Sequence, residues 1–216
     1  MRNDVIEKFK KKKIVAIIRG VYGEDCLKCA RALYDGGIEM MEITFDQSNE
    51  EKQKESIDTI KLIKEQLNEK VVVGAGTVLN DRQLDAAYEA GAQFIVSPDV
   101  NRDIIRATVE KGMVSMPGAM TPTEILTAYN NGADFVKVFP VSDLGADYIR
   151  ALRGPLNNIP LIAVGGINEE NIGDFLKSGV CGAGVGGKLV NKEWIKDGEF
   201  EKISELAKKY VERIIQ

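Results

Sequence analysis

Short apolar runs alternate with longer amphipathic stretches along this chain, and the alternation repeats. "AGAQFIVSP" starts at Ala90, "KGMVSMPG" at Lys111 and "NGADFVKVFP" at Asn131, about 20 residues apart. "GGIEMMEITF" (36–45) and "SGVCGAGVGG" (178–187) have the same form. The glycine before each apolar run suits a helix C′ position, because it tolerates positive φ. The runs are short and rich in β-branched residues, as strands covered on both faces are. They predict eight strands, at 14–18, 40–44, 71–73, 94–97, 114–116, 135–138, 161–164 and 182–185. Helical periodicity predicts helices at 23–35, 50–67, 81–90, 101–111, 122–130, 146–152, 169–177 and 200–215, with an opening helix over 2–12.

Strand and helix alternate with no Pro/Ser-rich linker and no low-complexity run, which implies an α/β fold with a parallel sheet. Eight repeats in a chain of 216 residues predict closure into a (β/α)8 TIM barrel. The expectation is a single domain over 1–216 with an N-terminal helix. A doubly wound open sheet is the alternative, but "IIRGVYGEDC" follows the first strand where a G-x-G-x-x-G turn would be needed. In a barrel, chemistry belongs at the C-terminal ends of the strands.

Composition narrows the function. Hydrophobic residues make up 44% and charged residues 29%, with a formal charge of −4. That balance disfavours electrostatic binding to nucleic acid, and the lysine run at 10–13 reads as a solvated helix face. Residues 1–13 lack the apolar core of a signal peptide, and no apolar stretch approaches the roughly 20 residues that span a bilayer. The three cysteines, Cys26, Cys29 and Cys181, suggest reduced thiols in a cytoplasm. The Cys26-x-x-Cys29 pair falls inside a helical pattern and reads as helix packing. There is no histidine, so acid–base chemistry falls to carboxylate, lysine, hydroxyl or water.

Polar residues and glycines gather at the predicted strand ends. Arg19 follows the first strand, Glu42 and Thr44 lie in the second, and Thr77 follows the third. Pro98 follows the fourth, Lys137 and Phe139 close the sixth, and "GGIN" and "GVGGK" follow the seventh and eighth. Lys137 is the most telling, since strand alternation puts it on one face with Phe135 and Phe139. Between aromatic rings in a barrel mouth, an ammonium is poorly hydrated and its pKa falls. A neutral amine can attack a carbonyl to form an iminium. The competing reading pairs Lys137 with Glu42 as a structural salt bridge. Glu42, in an apolar strand, is the candidate proton shuttle. Arg19, Thr44 and Thr77 are candidates for a substrate carboxylate or hydroxyl. Gly165, Gly166, Gly186 and Gly187 would leave amides free at helix starts, a device that cradles phosphate. A carboxylate site from Glu42 and Asp46 for Mg²⁺ or Mn²⁺ is a further reading.

"VAIIR", "GGIEMMEITF", "GAGTV", "FIVSP", "MPGAMTPTEI", "KVFP" and "VGGI" appear in that order between residues 15 and 167. Together they resemble the 2-keto-3-deoxy-6-phosphogluconate (KDPG) / 4-hydroxy-2-oxoglutarate (KHG) aldolases, class I enzymes on a (β/α)8 barrel. The resemblance implies Lys137 as the Schiff-base lysine and Glu42 as the general acid/base. It puts Arg19 and Thr77 at the pyruvate-derived carboxylate, Pro98 and Phe139 in the pocket wall, and Gly165, Gly166 and Gly186 at a distal phosphate. It further implies a homotrimer with a small keto acid as substrate, and neither metal nor organic cofactor. Three positions differ from the family pattern. Asp46 follows "EIT-x", where arginine is frequent; Val164 replaces a threonine before Gly-Gly; and Gly187, followed by Lys188, replaces a serine of the phosphate cradle. The expected activity is therefore cleavage of a 2-keto-3-deoxy or 4-hydroxy-2-keto acid to pyruvate and an aldehyde, with the tail site altered. A phosphate-sugar isomerase or epimerase on the same barrel, and a catalytically silent acid-binding barrel, are the rival readings.

Overall fold

The computed structural model describes residues 2–215. Strands β1 (Ile14–Ile18), β2 (Met40–Thr44), β3 (Val72–Gly76), β4 (Phe94–Val96), β5 (Val114–Met116), β6 (Gly118–Ala119), β7 (Val136–Val138), β8 (Leu161–Val164) and β9 (Gly182–Val185) form one sheet. Its order is β5-β4-β3-β2-β1-β9-β8-β7-β6, and neighbouring strands run parallel. The terminal pair in that order are β5, which is the strand predicted at 114–116, and β6, a two-residue strand within the segment expected to be a loop; they are separated by Pro117, which has no amide to give a ladder. Pro117 still accepts from the Lys137 amide at 2.9 Å, and Ser115 accepts from Asp134 at 3.0 Å. These bonds carry the ring across the gap. The fold is the expected barrel rather than an open sheet.

Helices α1 (Arg2–Lys12), α2 (Gly23–Asp35), α3 (Glu50–Leu67), α4 (Asp81–Glu89), α5 (Arg102–Glu110), α6 (Pro122–Asn130), α7 (Gly145–Arg153), α8 (Ile172–Lys177), α9 (Lys192–Lys196) and α10 (Phe200–Ile215) surround it. Local sequence sets many of their starts. Asn49, Asn80, Asn101 and Asn191 each cap a helix by accepting from its first-turn amides, a device worth about 1 kcal/mol each. Thr121 and Glu124 close a capping box behind Pro122. Past the helix ends, Gly91 and Gly132 adopt φ of 88° and 102°, as the repeat requires.

Two apolar layers result. Residues facing outward from the strands, such as Val136 and Val138, pack against the helices. Those facing inward, including Val15, Met40, Phe94, Phe135 and Ile162, fill the barrel. Helix α1 closes the N-terminal end with Val5 and Phe9, one helical turn apart. The Phe9 and Phe135 rings meet edge-on with centroids 4.7 Å apart. Lysines of α1 are engaged rather than gathered into a basic patch: Lys8 and Lys12 pair with Glu39, and Lys10 with Glu7. Cys26 and Cys29 are free and buried on α2, packed as its periodicity implied. Among the described residues, no helix is long and apolar enough to cross a membrane.

Beyond shifts of a residue at element ends, the departures from the sequence pattern that bear on the site are in β3, α8 and α9. β3 begins one residue later and runs through Gly74 and Gly76, glycines the pattern assigned to a loop. Helix α8 starts at Ile172 rather than 169, and the short α9 was not predicted.

Candidate active site

Strand β7 delivers Lys137 to the barrel interior, between Phe135 below and Phe139 above. Lys137 is 7% exposed and Glu42, on β2, is 3% exposed. The Lys137 Nζ lies 4.6 Å from the centre of the Phe139 ring. Burial holds the amine below the ordinary lysine range; the positive charge of Arg19 acts the same way, and Glu42 opposes both. Burial pushes Glu42 above the ordinary carboxylate range, with Lys137 and Arg19 opposing. The two groups sense each other through space without sharing a hydrogen bond. The geometry is therefore not that of a closed structural salt bridge.

Glu42 fits because β3 has no side chain opposite it. A Cβ built on Gly76 would stand 1.7 Å from the Glu42 carboxyl oxygen. Below the two polar groups the interior is closely packed. The void among Val15, Val96, Met116, Ile162, Glu42 and Lys137 measures only about 10 Å³, the lower limit for one water. Desolvation of Lys137 thus comes from packing beneath it.

Above them a cavity of about 480 Å³ opens at the C-terminal ends of the strands. Arg19, Glu42, Lys137, Phe139, Gly165, Gly166, Gly186 and Gly187, all expected at the site, line it. Val164 contributes an apolar wall, and the segment into α9 adds Lys188, Lys192 and Glu193. Gly165 and Gly166 take φ of 102° and 73° and back onto residues 140–142, so side chains are disfavoured there. A Cβ on Gly187 would meet nothing within 4 Å, so the missing serine is not excluded by space. The glycines do not open helices as predicted, because α8 begins only at Ile172 and α9 at Lys192.

Thr44, Thr77 and Pro98 lie outside the cavity lining. Thr44 is 2% exposed and sealed, Pro98 faces solvent, and Thr77 stands just past Gly76 with φ of +57°. Asp46 also lies outside the lining. Its carboxylate accepts from the Ser48 amide at 2.8 Å, and hydrogen bonding from the Ser48 side chain, then from its amide, holds its pKa low. Among the described residues, no group of three or more His, Cys, Asp or Glu side chains is placed to hold a metal ion. Sequence reasoning missed Lys192, Glu193 and the role of Gly76. Asn191 before "KEW" was an available N-cap signal for α9. Inward alternation of Gly74 and Gly76 was available once β3 was extended.

Residues 5–206 match the model of the KDPG and KHG aldolase family. The chain belongs to that family. It is 37% identical over 177 residues to 2-dehydro-3-deoxy-6-phosphogalactonate aldolase of Escherichia coli strain K12, covering 82% of this chain and 83% of that protein. It is 33% identical over 193 residues to the KHG/KDPG aldolase of the same strain, covering 88% and 86%. Among solved structures, a KDPG aldolase from Legionella pneumophila, with pyruvate captured at low pH as a covalent carbinolamine intermediate, matches with a TM-score of 0.84 and 26% identity. That match covers 96% of this chain and 97% of the Legionella chain.

Proposed function

We propose that this aldolase-family protein cleaves a 2-keto-3-deoxy or 4-hydroxy-2-keto acid to pyruvate and an aldehyde through a Schiff base on Lys137. One observation carries the reading: a buried amine with a lowered pKa shares a cavity with a buried carboxyl group whose pKa is raised. The neutral Lys137 Nζ attacks the C2 carbonyl to give a carbinolamine, which loses water to an iminium. Glu42, directly or through a water, takes the proton of the C4 hydroxyl. The C3–C4 bond then breaks, its electron pair passes to the iminium as an enamine, and the aldehyde leaves. Glu42 returns its proton to C3, and hydrolysis releases pyruvate and the free amine. The relative captured with pyruvate as a carbinolamine supports the first step.

Arg19 senses both Glu42 and Lys137 and is the cation nearest the reacting end, suited to the keto acid's carboxylate. Lys188 and Lys192 line the outer rim and suit a charged tail. A homotrimer in a cytoplasm belongs to the same reading. Exposed Met120, Leu126 and Tyr129, at and beside α6, offer apolar surface for assembly, and light scattering on the eluted protein tests the trimer. The chemistry is tested by borohydride reduction in the presence of pyruvate. A three-carbon adduct on Lys137 is expected, and a peptide map with no adduct there rejects the mechanism.

A further inference from the structure

Thr77 adopts φ of +57°, a left-handed conformation costly for a β-branched residue. It directly follows Gly76, against which the Glu42 carboxyl rests. Strain in such a place persists only where surrounding bonds over-determine it. Here the peptide plane after Thr77 is tied at both ends. The Val78 amide donates to Val96 O at 3.3 Å, and the Thr77 carbonyl accepts from Gln47 Nε2 at 2.9 Å. Gln47 is held in turn, its Oε1 accepting from Gln83 Nε2 at 2.8 Å. The Gln83 Oε1 accepts from the Leu79 amide at 2.8 Å.

The direction of this chain is fixed by chemistry. A backbone amide can only donate, so Leu79 forces the Gln83 oxygen toward itself and the Gln83 nitrogen toward Gln47. Gln47 must then turn its own nitrogen to Thr77. Gln83 is 3% exposed and cannot exchange these partners for water without cost. Gln47 sits in the loop after β2, the strand that carries Glu42, so the relay also joins the loops on either side of that carboxyl.

We propose that Gln83, acting through Gln47, is a positioning residue that keeps Thr77 left-handed and so fixes the wall against which Glu42 works. The inference rests on Glu42 as the acid/base group. The test is the isosteric Gln83→Glu variant. Its carboxylate still accepts from Leu79 but makes Gln47 turn its nitrogen inward, leaving oxygen against the Thr77 carbonyl. Exposed Gln47→Leu breaks the same link without burying a new charge. Both should lower kcat by roughly tenfold or more, since displacements near 1 Å at a reacting centre cost about a hundredfold. Borohydride labelling of Lys137 with pyruvate should continue in both variants. Glycine carries no penalty at positive φ, so in a Thr77→Gly background the same substitutions should change kcat by no more than about twofold. Equal losses in the two backgrounds, or no loss in either, would overturn the relay. A wild-type protein that takes up no pyruvate label is a different failure: it rejects the Schiff-base function and this inference with it.

Discussion

At its N-terminal end the barrel is stopped by Phe9, Phe94 and Phe135, all 1% exposed or less; at its C-terminal end β2, β3 and β7 present Glu42, Gly76 and Lys137. Both ends use one device. Gly182 leaves room for the Phe9 ring and Gly74 for the Phe94 ring, each of which would come within 2.5 Å of an added Cβ. Two residues further up β3, Gly76 leaves room for a carboxyl. Alternating glycines on inward-facing positions thus let β3 admit an aromatic ring below and an acid above. The contrast shows what the closed end does for the open one. A plugged, apolar base leaves little space for water beneath Lys137, and desolvation is the largest cause of its lowered pKa.

The largest break in that arrangement is Lys137→Met. It should lower turnover by on the order of 10⁴-fold or more, as nucleophile deletions do, while stabilising the fold. The sign follows from the pKa. Lysine binds its proton less readily folded than unfolded, so its burial costs stability fully below its folded pKa. That cost fades as pH climbs toward the unfolded value of about 10.4. The thermal gain of Lys137→Met should therefore be largest at neutral and lower pH and vanish in strong alkali, as melting curves across pH would show. Glu42→Gln comes next, with turnover down roughly 10²- to 10⁴-fold and pyruvate labelling of Lys137 retained. Its stability effect has the opposite slope. A carboxylate with a raised pKa costs nothing below about pH 4.3 and most above its folded value, so the gain should grow with pH.

Breaking the other end separates support from chemistry. Phe9→Ala removes a ring with no direct part in the reaction and should cost about 3–5 kcal/mol of stability, read by denaturant melts. If the plug keeps the amine dry, the acid limb of kcat/KM should also move to higher pH, because partial hydration restores lysine toward its ordinary pKa. Loss of stability with an unmoved limb would mean that the local shell of Phe139, Val164 and Ile17 is enough.

The floor of the site was legible in the sequence because it follows from strand alternation and burial, whereas the opening helix was predicted without the plug that its Phe9 forms. Phe135, Lys137 and Phe139 share a parity, and so do Met40 and Glu42, so one register determines both the fold and the pair proposed to react. The rim was legible only in part. Lys192 approaches on a five-residue helix, too short for periodicity to reveal. Asp46 was expected near the substrate by its place in the chain, yet it lies outside the cavity lining, its carboxylate accepting from the Ser48 amide. Thr77 was chosen for its hydroxyl, whereas its backbone conformation is the feature the structure brings forward. Loops are set by individual hydrogen bonds rather than by repeating patterns, and those bonds join residues such as Gln47 and Gln83 that no spacing rule links.

The rim also supplies the smallest expected effect and the one that sharpens the comparison most. Arg19 senses both reacting groups, whereas Lys192 contributes to the charge environment of Asp46 instead and lies across Gly20, where an added Cβ would be 2.8 Å from its Nζ. It is therefore an outer cation, exposed and screened by salt. Lys192→Gln should raise KM by roughly tenfold at most for a phosphorylated 2-keto-3-deoxy acid, because a single partly solvated charge contributes no more than a modest interaction. The unphosphorylated counterpart should change by less than about twofold, and kcat for either should hold, since the lysine and acid below remain in place. Lys192→Arg should restore the phosphorylated substrate, and raising ionic strength should shrink the difference between wild type and Lys192→Gln. An equal loss on both substrates would instead place Lys192 in the reactive end, erasing the division between a floor that does chemistry and a rim that selects the tail.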